Sequence, residues 1–173
     1  ARLVLLPNAS NPRTSKSLLD LLVFPILPLA LLAFGAIQSP LAGLMLATYI
    51  LVELFDSLAL LCGKLFGRTK AFPTLSPNKT IGGLIGGGLS LLLLAMLFAL
   101  PLAQPLWLAA LTAVITGIFA VSGDLAASRL KRIGGVKDFP VVLSRQGGLL
   151  DSLDSWIAVG AAFTAVHLLA ILW

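Results

Sequence analysis

Long apolar runs separated by short polar connections constrain this chain more than any other feature. A helix needs about 20 mostly apolar residues to cross a bilayer, and five runs meet that need, near residues 17–37, 41–62, 81–102, 106–127 and 154–173. Charged residues make up only 11% of the 173 positions, whereas ordinary soluble domains carry roughly a quarter. We therefore predict an all-α integral membrane protein with about five transmembrane helices, forming a single domain over residues 1–173.

The basic residues are distributed unevenly over the polar connections. All twelve Lys and Arg residues fall within 2–16, 64–79 and 129–145, while the connections near 38–40 and 101–105 are uncharged. Because basic loops stay in the cytoplasm, we expect a cytoplasmic N-terminus, a C-terminus on the opposite side and a bacterial-type inner membrane. The net charge of +5 is dispersed over short membrane-adjacent segments. It therefore favours lipid headgroups or a phosphorylated substrate over nucleic acid.

Acidic residues inside the apolar runs indicate where chemistry occurs. Asp56 lies in the second run, Asp124 in the fourth, and Asp151 and Asp154 open the fifth. A carboxylate in a membrane segment costs roughly 2.5–3.5 kcal/mol even on the lenient insertion scale, so it needs a partner or a function. The helices are expected to bring these acids to a similar shallow depth below the cytoplasmic surface.

Two interpretations of the acids stay open at this point. They could form buried ion pairs with Lys131, Arg132 or Lys64 that hold the helices together. Alternatively, Asp124 and Asp151, beside the basic connection, could bind a magnesium ion, since Mg²⁺ prefers one or two carboxylates plus phosphates and water. Metal-binding acids beside lysine and arginine are what phosphoryl or nucleotidyl transfer requires.

A glycine-rich run opens the third apolar segment. Small residues four apart in 81–88 favour close packing between membrane helices and could also mediate self-association. Ser76, Lys79 and Thr80 precede this run and could meet a phosphate at the helix entrance, although Thr80 or Asn78 could equally be a plain helix cap. A P-loop is excluded, because there the Lys-Ser/Thr pair follows the glycines.

Several single residues have simpler explanations. Pro25 and Pro28 are expected to kink the first span, which neighbouring helices can tolerate. Asp20 is interpreted as an acid at a helix start. His167 is placed in the far half of the bilayer, away from the acids, as a packed histidine.

Residues 128–154 read SRLKRIGGVKDFPVVLSRQGGLLDSLD. This stretch resembles the signature of the phosphatidate cytidylyltransferases (CDP-diacylglycerol synthases), which runs S-x-x-K-R, K-D, H-G-G and D-R-x-D. Upstream, Gly123-Asp124, LFDSLALLCGKLFGRTK and LSPNKTIGGLIGG resemble the family's G-D, N-D-x-x-A-Y-x-x-G-x-x-F-G and S-P-K-K-T-x-E-G blocks. The resemblance covers roughly residues 50–160 and corresponds to the family's C-terminal catalytic half. Gln146, Ser152 and Phe55 stand where the family has His, Arg and Asn.

The resemblance implies CTP-dependent transfer of CMP to a lipid phosphate such as phosphatidic acid, giving a CDP-lipid and pyrophosphate. It also implies a cytoplasmic active site, contact with membrane lipids, no nucleic acid, and a homodimer. By this resemblance, the catalytic residues would be Lys131, Asp124 and Asp151. The residues that hold Mg²⁺, with room for a second cation, would be Asp124, Asp151 and Asp154. The residues that bind substrate would be Ser76, Lys79, Thr80, Ser128, Arg132, Lys137, Asp138, Gly147 and Gly148.

Three alternatives are weighed against this prediction. A CTP-dependent lipid-alcohol kinase would share the nucleotide and the membrane setting but release CDP. A non-catalytic paralogue or partner subunit would bind no CTP. A cation carrier would need polar residues continuing to the far side of the membrane, and the third and fifth runs offer few.

Overall fold

The computed structural model describes residues 19–139, 141–143 and 147–172 as a helical bundle with two short hairpins at one end. The elements follow in chain order: a π-helical turn Leu22–Ile26 leading into α1 (Leu27–Ile37), α2 (Ser39–Phe66), β1 (Lys70–Phe72), β2 (Ser76–Thr80), α3 (Ile81–Ala99), α4 (Leu106–Ile133), β3 (Val141–Leu143), β4 (Gly147–Gly148) and α5 (Leu149–Leu172). Five helical segments are long and apolar enough to cross a membrane. The predicted all-α membrane fold is thereby confirmed, while its orientation stays a prediction.

The helix bounds differ from the predicted ones near the hairpin end. The fourth span continues to Ile133 rather than ending at 127, and the fifth begins at Leu149 rather than 154. Helix-forming residues run unbroken through this part of α4, which ends at Gly134, before Gly135 adopts a positive φ of 69°. Lys131 and Arg132 therefore lie on a helix, and their assignment to a loop was wrong. The third span ends at Ala99 because Pro101 follows.

The first span is kinked, as its prolines predicted. Phe24 has φ −153° and ψ 128° inside the π-helical turn, so the backbone leaves helical geometry next to Pro25. Phe24 is nevertheless buried against the core. The kink thus turns an aromatic side chain inward near the hairpin end of the bundle.

Glycines let α2 and α3 pack closely. A Cβ atom added to Gly87 would lie 2.7 Å from Cβ of Ala59, and one added to Gly86 would lie 2.6 Å from Cβ of Cys62. The small-residue packing predicted for this run is confirmed. The same glycine face was also expected to support self-association, but these two positions pack within the chain.

A second close contact joins α4 to α5. A Cβ atom on Gly123 would lie 2.6 Å from the carbonyl oxygen of Asp154 and 2.7 Å from Cβ of Ala158. Ala120, Ala127 and Val159 are buried around this contact. Asp124 and Asp154 therefore sit on two helices whose backbones nearly touch.

Candidate active site

A cavity of about 620 Å³ opens at the hairpin end of the bundle, between α2, β2, α3, α4 and α5. Its walls combine carboxylates, lysines and small residues. Six of the predicted site residues line it: Ser76, Lys79, Thr80, Asp124, Asp151 and Asp154. Asp56 from α2 joins them, so acids from three helices meet in one cavity, as the sequence predicted.

Asp124 faces a lysine from the hairpin. Its Oδ2 atom lies 3.0 Å from Nζ of Lys79, and each side chain is only about a fifth exposed, at 23% and 22%. The same oxygen is buried and lacks a partner with hydrogen-bond geometry in the described structure. The contact between Lys79 and Asp124 is therefore an ion pair held by charge rather than by a well-aligned hydrogen bond.

Asp151 uses both of its carboxylate oxygens. Nζ of Lys131 donates to Oδ1 at 2.6 Å, and the backbone N–H of Phe139 donates to Oδ2 at 2.8 Å. The Lys131 ammonium also lies 5.4 Å from the centre of the Phe139 ring. Helix α4, the connection after it and α5 are thus joined at one carboxylate.

Gly148 makes room for this arrangement. A Cβ atom there would lie 2.7 Å from Oδ2 of Asp151 and 2.7 Å from Cβ of Phe139. Any larger residue would displace the carboxylate or the connection. The close packing against Asp151 therefore explains why position 148 is a glycine. Its contact with a substrate phosphate stays a prediction.

Asp154 lies deeper, one turn further along α5. It is buried, and its Oδ1 accepts the backbone N–H of Ser155 at 2.6 Å. Asp154 lines the same cavity as Asp124 and Asp56. Glu53, one turn before Asp56, is exposed on α2 and does not line the cavity.

The hairpin fixes Lys79 and Thr80 at the entrance of α3. Lys70 in β1 pairs with Thr80 in β2, and the N–H of Ile81 donates to the carbonyl of Thr69 at 3.0 Å. The Thr80 hydroxyl accepts the N–H of Gly83 at 3.1 Å. The predicted helix cap is therefore confirmed, and Thr80 caps α3 at the wall of the cavity.

The carboxylates of the cavity suit a hard cation. Across 19–139, 141–143 and 147–172, no three His, Cys, Asp or Glu side chains converge tightly enough to hold a metal alone. Mg²⁺, however, is commonly held by one or two carboxylates, with phosphates and water completing its shell. The Lys79 ammonium already places a positive charge 3.0 Å from a buried oxygen of Asp124. The donor set therefore fits Mg²⁺ bound together with a phosphorylated substrate.

The remaining predicted substrate-binding residues lie away from the cavity lining. Ser128 is buried on α4; Arg132, whose guanidinium donates to the carbonyl of Val136 at 3.2 Å, is exposed, as are Lys137 and Asp138. Gly147 lies in β4. Their roles stay predictions from the resemblance. Gln146 falls outside the described residues, and Ser152 is exposed on α5.

The structure adds lining residues that were not assigned to the site. Gly63 and Lys64 continue the face of α2 that carries Asp56, and Ser155 follows Asp154 on α5. Positions seven and eight residues after Asp56 share its side of a helix. Helical spacing could therefore have identified these residues. The pairing of Asp124 with Lys79, in contrast, could be seen only in the folded chain.

Two of the predicted acids form lysine pairs in the structure. The alternative of buried ion pairs is thus realised for Asp124 and Asp151: Asp151 pairs with Lys131, one of the predicted partners, whereas Asp124 pairs with Lys79, which was not among them. Asp20, interpreted as a helix-start acid, lies at the beginning of the first span (Leu19–Ile37) and also pairs with Arg129 at 3.2 Å. His167 lies on the far part of α5, away from the cavity, as predicted.

Comparison with known proteins gives one family and several relatives. A profile described as "Cytidylyltransferase family" matches residues 2–170. A phosphatidate cytidylyltransferase of Staphylococcus haemolyticus is 40% identical over 128 residues, which are 73% of this chain and 49% of that protein. Enzymes of the same name from Staphylococcus aureus and Staphylococcus epidermidis are 40% identical over 116 residues, 66% of this chain and 45% of theirs. The chain spans about half the length of the curated relatives it matches.

Proposed function

Because the chain belongs to the cytidylyltransferase family, we propose that it transfers CMP from CTP to a lipid phosphate of the phosphatidic acid class. The observation that carries this proposal is a cavity lined by Asp124 and Asp151, which form ion pairs with Lys79 and Lys131 respectively. Buried or half-buried acids beside lysines, at one end of membrane-spanning helices, suit a highly charged nucleotide and a membrane-bound acceptor. The relatives' name, phosphatidate cytidylyltransferase, supports the choice of acceptor.

In the proposed reaction, an oxygen of the lipid phosphate attacks the α-phosphorus of CTP. The bond from that phosphorus to the β-bridging oxygen breaks, pyrophosphate leaves with the electron pair, and a CDP-lipid remains. The acceptor is already anionic, so the reaction needs no covalent enzyme intermediate. Catalysis then rests on alignment of the two phosphates and on neutralisation of their charge.

Each of the two lysine–aspartate pairs would be electrically neutral before the nucleotide enters. A triphosphate entering the cavity would attract the ammonium groups of Lys79 and Lys131, because the triphosphate as a whole carries more negative charge than a single carboxylate. Each lysine that moves toward phosphate releases an oxygen of its aspartate. Charge is thereby exchanged inside the cavity without leaving an unpaired group in a poorly solvated place.

We further propose that the released carboxylates of Asp124 and Asp151, with Asp154, hold Mg²⁺, with room for a second cation. When bound, the ion would neutralise phosphate charge and orient the triphosphate. Ser76 and the capped entrance of α3 would contact phosphate from the other wall. After releasing Asp151, Lys131 would stay near the reacting phosphates because its ammonium also lies beside the Phe139 ring.

The proposal is tested by incubating purified protein with labelled CTP, Mg²⁺ and phosphatidic acid in detergent. We expect a CDP-lipid and pyrophosphate from wild type, and at least a roughly hundredfold loss in Asp151→Asn, in line with loss of an electrostatic group at a reacting centre. Ser152→Ala, at the exposed neighbouring position, is the matched control. Equal turnover in wild type and Asp151→Asn would remove the assignment, and CDP as product would show lipid-kinase chemistry instead.

Two further parts of the proposal concern the setting. The cavity is proposed to face the cytoplasm, which follows from the basic hairpin end. A homodimer is proposed from the family resemblance and from the glycine face of α3. Gly86 and Gly87 pack within the chain, whereas Gly88 has open space beside it.

A further inference from the structure

A second cavity, of about 290 Å³, lies on the other side of α4 from the active-site cavity. Its walls are mainly apolar and include Phe24 from the kinked first span, Leu75 from the hairpin, and Leu125 and Leu130 from α4. Asp20 and Arg129 are its charged lining residues within the described structure. The cavity is therefore an apolar slot with one ion pair.

Helix geometry separates this cavity from the active site. Arg129 and Lys131 are two residues apart on α4, which places them about 200° apart around a helix of 3.6 residues per turn. Lys131 consequently points to Asp151, while Arg129 faces the first span. The hairpin divides the cavities in the same way, since Ser76 lines the first and Leu75 the second.

Arg129 is oriented but not covered. Its Nη2 atom lies 3.2 Å from Oδ1 of Asp20, yet its side chain is 63% exposed, against 26% for Asp20. A guanidinium has five N–H donors in a fixed fork, and one carboxylate oxygen engages only part of them. Asp20 thus holds the fork in place while its outer donors stay accessible to a phosphate, the anion that this fork matches well.

The position of the cavity in the bundle selects the ligand class. Arg129 lies one turn before the end of α4, at the basic end of a membrane-spanning helix, and the apolar wall lies directly beside it. A nucleotide would leave its base and ribose against leucines without hydrogen-bond partners. A phospholipid instead places an anionic phosphate at the membrane surface and a hydrocarbon chain below it.

We propose that this second cavity binds an anionic phospholipid, with its phosphate at Arg129 and part of one acyl chain against Phe24, Leu75 and Leu125. The site is separate from the active-site cavity and does not depend on the proposed reaction. Its occupant would pack the first span, the hairpin and α4 together. Since the hairpin also carries Lys79, lipid at this site would stabilise one wall of the active-site cavity.

The test measures lipid binding by purified protein without CTP, so that no turnover can occur. Native mass spectrometry from detergent would compare phosphatidylglycerol, phosphatidic acid and phosphatidylcholine with identical acyl chains. We expect wild type to retain both anionic lipids more tightly than phosphatidylcholine. Arg129→Gln should weaken their binding by at least about tenfold, the size expected for lost charge-assisted hydrogen bonds.

Two further variants make the result decisive. Ala126→Trp, which fills the slot, should reduce binding of all three lipids, whereas Lys70→Gln removes an equal charge from the exposed hairpin and should change nothing. Unaltered retention of phosphatidylglycerol in both Arg129→Gln and Ala126→Trp would overturn the proposal. So would phosphatidic acid binding that Arg129→Gln spares and Asp151→Asn abolishes, because the lipid would then occupy the active-site cavity. Retained phosphatidylcholine binding by Arg129→Gln shows that this variant is folded.

Discussion

Lys131 and Asp151 are joined at 2.6 Å, and the other oxygen of the same carboxylate accepts the N–H of Phe139 at 2.8 Å. Both side chains are mostly withdrawn from water, with exposures of 11% and 19%. The pair connects the end of α4 to the start of α5 across the second hairpin. It thus serves the fold and the proposed chemistry together, and the two roles can be separated by mutation.

Lys131→Met should lower both stability and CMP transfer. The variant leaves Asp151 without its cation in a half-buried place, which costs roughly 3 kcal/mol or more for a buried pair. Thermal unfolding in detergent, followed by tryptophan fluorescence, measures the first effect. The double variant Lys131→Met/Asp151→Asn should regain much of the stability but no activity. A double variant as unstable as the single one would show that the charge pair is not the cause.

Lys79→Met should make the empty protein bind a divalent cation more tightly. The lysine ammonium competes for Oδ2 of Asp124, so its removal should strengthen binding of Mn²⁺ alone, by about tenfold if it releases roughly 1.4 kcal/mol of competition. CTP affinity should fall in the same variant, because a phosphate partner is lost. Electron paramagnetic resonance of free Mn²⁺ reports the first change, with Lys70→Met as the control. Unchanged or weaker Mn²⁺ binding would contradict the proposed exchange of charge.

Gly148→Ala should impair transfer through Asp151. The added methyl group would lie 2.7 Å from Oδ2 of the carboxylate, so either the acid or the connection must move. A misplacement of about 1 Å at a reacting centre can cost about a hundredfold in rate. Gly134→Ala is the matched control, since a Cβ atom there would have no neighbour nearer than 3.6 Å. Similar turnover in the two variants would show that the position of Asp151 tolerates the shift.

Gly87→Ala and Gly88→Ala should differ although they are adjacent. A Cβ atom on Gly87 meets Ala59 at 2.7 Å, whereas one on Gly88 has nothing within 4 Å. We expect about 1–3 kcal/mol of destabilisation for the first, the usual cost of overpacking, and little change for the second. Melting temperatures in the same detergent provide the comparison. Equal melting points would refute the tight α2–α3 contact.

The apolar runs were enough to predict the spans, because a helix in lipid must satisfy its own backbone. The acids in those runs predicted the site, because a carboxylate inside a membrane segment is costly unless it has a partner or a function. The partners of the acids were harder to foresee. Lys79 is far from Asp124 along the chain and reaches it only because the hairpin folds back over α3.

Helix ends were also beyond the sequence pattern. Charged residues at 129–132 suggested a loop, yet α4 continues through them, since its hydrophilic end projects beyond the apolar span and arginine and lysine are good helix formers. The consequence is functional. A helix, unlike a loop, sends Arg129 and Lys131 to opposite sides, and the second cavity exists for that reason.

The contact between Gly123 and the carbonyl of Asp154 limits how far apart the acids on α4 and α5 lie. Because Gly123 has no Cβ atom, the backbones of α4 and α5 are in close contact here, and the main chain thereby sets the spacing between Asp124 and Asp154. A methyl group added at Gly123 would push α4 and α5 apart, and with them Asp124 and Asp154, without altering any acid or lysine. The spacing of two buried or half-buried acids therefore depends on a residue that contributes no charge of its own.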